Sequence, residues 1–172
     1  MKKMNCFMWF AAAALPGVLL VAGCDEKKAA APAAAETAVA APAQMPAGAW
    51  EWMTDWKAAQ ERAKAENKPI LIDFSGSDWC GWCIKLDQEV FSKAEFQKWA
   101  QDHVIPFLAD FPRQSSQSEA EKMQNKALAE AYGIRGFPTV LLVRADGTVI
   151  ARTGYQAGGP EKYIAHLEEL LQ

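Results

Sequence analysis

The sequence predicts an α/β fold, a three-layer sandwich with a mixed central sheet, confined to the part of the chain from Trp50 to Gln172. Three observations lead there. Short apolar runs suited to buried strands alternate with longer segments of helical period. The last two such runs lie only a turn apart, as an antiparallel hairpin at a sheet edge requires. With 172 residues, the chain has room for one modest domain and excludes a large multidomain enzyme.

Trp52, Trp56, Ala59 and Ala63 recur at helical spacing between charged residues, which predicts an amphipathic helix over 51–66 that Asn67-Lys68-Pro69 ends. Ile70 to Ser75 is a compact apolar run for a buried strand, and Gly76-Ser77 begins a turn. A helix is expected from near Cys80 to about Val90, and a second from Ser92 to about His103. Ser92-Lys93-Ala94-Glu95 has the spacing of a capping box, in which hydroxyl and carboxylate satisfy amides at a helix start. Val104 to Ala109 reads as another buried strand, and Pro106 within it calls for an edge position or a bulge.

The polar stretch from Asp110 to Gln117 is expected to be a surface loop. Ser118 and Glu121 repeat the capping-box spacing and open a helix to about Tyr132, stopped by Gly133. Thr139–Arg144 and Thr148–Thr153, joined by Ala145-Asp146-Gly147, form the hairpin. Pro160 fits the first turn of a last helix whose apolar face is Tyr163, Ile164, Leu167, Leu170 and Leu171.

The first forty-nine residues have a different composition. Lys2 and Lys3 precede an apolar run from Cys6 to Ala22, interrupted by Pro16-Gly17 and shorter than the roughly 20 residues a membrane-crossing helix needs. Leu19-Leu20-Val21-Ala22-Gly23-Cys24 resembles the lipobox of bacterial lipoproteins. That resemblance implies cleavage of residues 1–23, lipidation of Cys24 and attachment to a bacterial membrane of the cell envelope, with the domain facing the periplasm or exterior. The same residues also fit an ordinary signal peptide or uncleaved anchor in which Cys24 is incidental. Asp25 resembles a retention signal for the inner membrane, a sorting rule that does not extend to all bacteria. Residues 24–49 hold Pro32, Pro42, Pro46 and many alanines, too little apolar bulk for a core, and read as a flexible tether reaching roughly 30 to 80 Å.

Removing residues 1–23 leaves 16 basic and 21 acidic side chains, a net charge of −5. No dense basic block occurs, so a surface neutralising the phosphates of nucleic acid has no support.

The four cysteines are Cys6, Cys24, Cys80 and Cys83. The last two form a C-x-x-C where a strand should give way to a helix. At a helix start, unpaired amides and the dipole favour a thiolate, so Cys80 is the expected nucleophile. Cys83, one turn on, is placed to attack a mixed disulfide on Cys80 and release the partner.

Ile72-Asp73-Phe74, Trp79-Cys80-Gly81-Trp82-Cys83 and, about fifty residues later, Tyr132-Gly133-Ile134-Arg135-Gly136-Phe137-Pro138-Thr139 resemble the signature segments of the thioredoxin family, over roughly residues 50–172 in element order. The resemblance implies a thioredoxin-like α/β/α fold and a cis Pro138 beside the cysteines. It also implies a groove in which the Phe137 backbone pairs with an extended substrate, and an Asp73 that accepts or relays the proton of Cys83. The substrates would be protein thiols and disulfides, with no cofactor beyond the two sulfurs and with a membrane thiol electron donor. Trp79 and Trp82 are candidate substrate contacts around the sulfur, Trp79 having an equally simple role in packing. Phe137 would narrow the groove or make it more apolar.

This chain has one residue more than ordinary thioredoxins between Asp73 and Cys80, and its dipeptide is Gly81-Trp82. The dipeptide carries no cation and Asp78 is expected to oppose a thiolate, which favours a reductase or isomerase over a strong oxidant. A zinc site would need two more ligands, and His103 and His166 lie on different predicted helices. Haem attachment fails because Ile84 follows Cys83. A non-catalytic binding or chaperone lipoprotein using the Pro138 groove is the alternative function.

Overall fold

Four strands form the central sheet in the order β2-β1-β3-β4. The computed structural model describes residues 50–172. The expected leader of residues 1–23, Cys24 and the tether of residues 24–49 lie outside the described residues. In chain order the elements are α1 (Trp56–Glu66), β1 (Ile70–Ser75), α2 (Gly81–Leu86), α3 (Ala94–His103), β2 (Ile105–Asp110), α4 (Glu119–Ala131), β3 (Thr139–Val143), β4 (Val149–Thr153) and α5 (Gly159–Leu170). Strand β1 pairs parallel with β2 and antiparallel with β3, which forms the hairpin with β4. The expected mixed sheet with a hairpin at its edge is what forms.

Alternation along β1 sends Ile70, Ile72 and Phe74 to one face and Leu71 to the other. On the first face they meet Ala59 and Ala63 of α1 and Leu128 of α4, together with Phe107 of β2 and Leu141 of β3. On the second face Leu71 meets Leu86, Phe96, Ala100, Tyr163 and Leu167, contributed by α2, α3 and α5. All six residues of β1 are buried, so the strand that leads to the cysteines is fixed on both faces and both edges.

Two expectations about helix starts are corrected. Helix α1 begins at Trp56, capped by Asp55, whose Oδ1 accepts from the Ala58 amide at 3.0 Å. Before it, Met53 crosses the sheet edge: its amide donates to the Pro106 carbonyl at 3.0 Å and its carbonyl accepts from the Leu108 amide at 2.9 Å. Trp52 therefore packs on Trp50 and Phe91 in the second core, while Trp56 packs on Phe107 in the first. Their helical spacing is a coincidence of two layers. Helix α3 has Lys93, not Ser92, at its N-cap position and no side-chain cap bond, because the preceding helix continues through a π-helical turn, Asp87–Phe91, and absorbs Ser92. The Ser92 hydroxyl donates back to the Gln88 carbonyl at 3.3 Å.

Other local signals act as expected. Pro106 lies on edge strand β2. Ser118 caps α4, its Oγ accepting from the Glu121 amide at 3.2 Å. Gly133, at φ +60°, ends the same helix. Its amide donates to the Glu130 carbonyl at 3.1 Å, and that of Ile134 to Ala129 at 2.8 Å. This paired closure turns the chain sharply toward Phe137.

Replacing Phe107, fully buried and edge-on to Trp56 with ring centroids 5.2 Å apart, by Ala should cost about 3–5 kcal/mol. Urea unfolding at unchanged m-value checks this, and a midpoint equal to wild type would contradict the two-face core.

Candidate active site

Strand β1 ends at Ser75, and the turn that follows sets Cys80 at the N-cap of α2. The Cys80 Sγ accepts from the Cys83 amide at 3.2 Å, so a helix-start amide is directed at the sulfur where negative charge would form. Cys80 and Cys83 are joined as a disulfide, with Cα atoms 5.2 Å apart. Cys80 is 7% exposed and Cys83 3%, and it is Cys80 that lines the adjoining pocket. Both cysteines are buried, and Cys80 is the one at the pocket wall, the order the exchange sequence needs.

That pocket, about 390 Å³, is lined by Trp79, Cys80, Ile134, Arg135, Gly136 and Phe137. The Phe137–Pro138 peptide bond is cis. Phe137 leans on Phe111, with centroids 5.1 Å apart, and stands edge-on to Trp79 at 5.9 Å. Instead of filling the groove alone, it forms an aromatic wall with Trp79 and Phe111.

Trp79 is half-buried and built into this wall. Its Nε1–H donates to the Phe111 carbonyl at 2.7 Å, and the Arg113 guanidinium lies 3.8 Å from its ring centroid. Gly76 is needed beneath it, since a Cβ there would fall 2.5 Å from the indole. Trp82 differs: it is 58% exposed, tilted against Tyr155 at 5.1 Å, with the Lys85 ammonium 5.2 Å from both rings. Tyr155 in turn donates to Glu89 at 2.6 Å.

Asp78 is held by the facing loop. Its carboxylate accepts from the backbone amides of Arg113, Gln114 and Ser115 at 2.9, 2.6 and 2.8 Å. Those bonds, the Arg113 amide first, hold its pKa down at about 2. Its charge fastens the 110–117 loop to the active-site turn. Asp110 adds a second fastening, accepting from the Ser77 amide at 2.9 Å and the Ser77 hydroxyl at 2.5 Å.

Asp73 is buried in the middle of β1, opposite Val140 and Leu108, and its Oδ1 has no hydrogen-bond partner among the described residues. Burial, reinforced by the charges of Asp87 and Asp110, pushes its pKa up to about 8. Tyr163 is displaced upward too, by burial and then by the charge of Asp73.

Phe111, Arg113 and Tyr155 lie around the site and were missed by sequence reasoning, which read Ile134 and Arg135 only as part of a signature segment. Phe111 and Arg113 lie in a loop with no periodicity. The available signal was a pair of aspartates, Asp78 and Asp110, each able to bind the amides of another turn.

A disulfide at a helix start, one sulfur facing a pocket, on a sheet with helices on both faces, defines a thiol:disulfide oxidoreductase. The chain belongs to the thioredoxin-like domain family, whose model matches residues 56–171. Among its relatives, the disulfide bond reductase DsbH of Chlamydia pneumoniae is 34% identical over 123 residues, 72% of this chain and 72% of that protein. The thiol:disulfide interchange protein DsbD of Yersinia enterocolitica is 31% identical over 112 residues, 63% of this chain but 17% of that protein. A solved DsbH oxidoreductase aligns with a TM-score of 0.68 at 34% identity, over 74% of this chain and 90% of the other.

The raised pKa of Asp73 fixes the sign of a pH effect. Stability carried by its neutral form is full below about 3.8 and is lost as pH rises through about 8. Asp73→Asn should therefore raise the Tm relative to wild type more at pH 8 than at pH 4. An equal change at both, measured by calorimetry, would show that Asp73 ionises normally.

Proposed function

We propose that this chain is a reductase or isomerase of protein disulfides, tethered to a bacterial membrane through lipid on Cys24. The observation that carries the exchange chemistry is the Cys80–Cys83 pair, with the Cys80 sulfur bonded to a helix-start amide and facing the pocket beside Phe137.

In the reducing direction, the Cys80 thiolate attacks one sulfur of a substrate disulfide, forming a mixed disulfide and releasing the first substrate thiolate. Cys83, deprotonated, then attacks Cys80 Sγ. The mixed disulfide breaks, the second substrate thiolate leaves, and the internal disulfide forms. Two electrons pass to the substrate, and the protons from the two cysteines end on its thiols. Asp73, in its ionised form, takes the proton of Cys83 and passes it on to the leaving substrate thiolate. Its burial and its pKa of about 8, close to the ordinary thiol value of about 8.5, support this role.

An extended substrate strand pairs with the backbone at Phe137 beside Pro138, against the wall of Trp79 on one side and the exposed ring of Trp82 on the other. The direction of electron flow is supported by the name of the DsbH relative, a disulfide bond reductase. Net reduction requires a thiol donor, which we place in the membrane. The leader and Cys24 motif support the cell envelope as the location, with the domain held on its Ala/Pro-rich tether. Among the described residues no helix is long and apolar enough to cross a membrane.

Cys80→Ser should abolish reduction of insulin disulfides, and Cys83→Ala should accumulate a mixed disulfide through Cys80 with the natural substrate. Retained insulin reduction in the Cys80 variant would overturn the exchange function in favour of a binding module. Cys24→Ala should move the protein from the membrane to the soluble envelope fraction, and unchanged membrane association would overturn the lipid anchor.

A further inference from the structure

Two arginines lie around the pocket beside Cys80, one in its lining and one stacked on a lining ring. Arg135 lines it, and Arg113 is held over Trp79, which also lines it. Both arginines are exposed, and neither forms an ion pair among the described residues. No carboxylate lines the pocket. The two nearby aspartates are directed into the chain, Asp78 to the amides of Arg113, Gln114 and Ser115, and Asp110 to Ser77 and the Phe111 amide. Gly136 leaves room in the pocket wall, since a Cβ there would meet nothing within 4 Å.

We propose that this pocket selects extended protein segments bearing Glu or Asp beside the disulfide cysteine that Cys80 attacks. The proposal rests on the exchange function above and names its substrate class. A carboxylate next to a disulfide repels an incoming thiolate, which slows its reduction by free thiols. Two guanidinium groups offset that repulsion and offer planar, forked donors that match a carboxylate. Arg113 is partly ordered beforehand, its ring contact fixing the guanidinium and the Asp78 bonds fixing its backbone, so less freedom is lost when a substrate binds.

The test uses three peptides of one sequence, each with an internal disulfide and with Glu, Gln or Lys beside the attacked cysteine, and oxidised glutathione as a small carboxylate-bearing disulfide. The readout is the ratio of kcat/KM values within each protein variant, which divides out any general loss of activity or folding. The wild-type Glu:Gln ratio should exceed one by about two- to fivefold per arginine at low salt. It should fall toward one near about 0.5 M salt, where charges are screened over a few ångströms. Arg135→Gln and Arg113→Gln should each lower the ratio, the double variant should abolish it, and Arg113→Lys should retain most of it. A ratio of one in wild type with the Gln peptide still reduced would overturn the charge selection alone. So would a ratio unchanged in the double variant. Oxidised glutathione turned over faster than the Glu peptide would overturn the assignment to a protein segment, and no turnover of any disulfide would overturn the exchange function itself.

Discussion

The site depends on the confinement of β1. This strand lies between β2 and β3, with a helical layer on each face and every one of its residues buried. Its end point is therefore fixed to within side-chain packing tolerance. The turn that follows has few ways to reach α2, and the position of the Cys80 sulfur relative to the Cys83 amide is a consequence of where β1 stops. The same confinement isolates Asp73 from water. One strand thus supplies both the geometry of the thiol pair and the low-dielectric surroundings of Asp73.

A second tier of order comes from two carboxylates. Asp78 and Asp110 bind the amides and hydroxyl of facing turns, making the 110–117 loop a continuation of the active-site turn. Phe111 and Arg113 are thereby placed against Trp79 and Phe137. The aromatic wall of the pocket is a tertiary product, assembled from three segments distant in the chain, Trp79 and Phe111 being 32 residues apart.

The sheet strands, the buried faces and the cysteine pair were legible in the sequence because each rests on a local rule: apolar runs, helical period, turn residues, or spacing of reactive groups. Ser118 and Gly133 act at the helix ends as their local patterns imply, since nothing in the tertiary structure competes with them. Ser92 and Trp52 show where such rules give way. At Ser92 a continuing helix consumed the residue before it could cap the next one. At Trp52 the hydrophobic spacing was satisfied by two cores on opposite faces of the sheet. The charge at Asp78 was visible, but its partners were backbone amides of a loop without sequence signature, so they could be known only once the loop was in place.

The Met53 bridge has a further bearing on how the molecule keeps to itself. Strand β2 would otherwise end the sheet with free hydrogen-bonding groups, a template on which another chain could add. Pro106 has no donor to offer, and the Pro106 carbonyl and Leu108 amide are already engaged by Met53. The opposite margin, β4, has five residues, and the β3–β4 ladder carries a register irregularity at Leu142/Val143. One border of the sheet is partly covered and the other is short, so separate copies of the domain have little edge along which to pair.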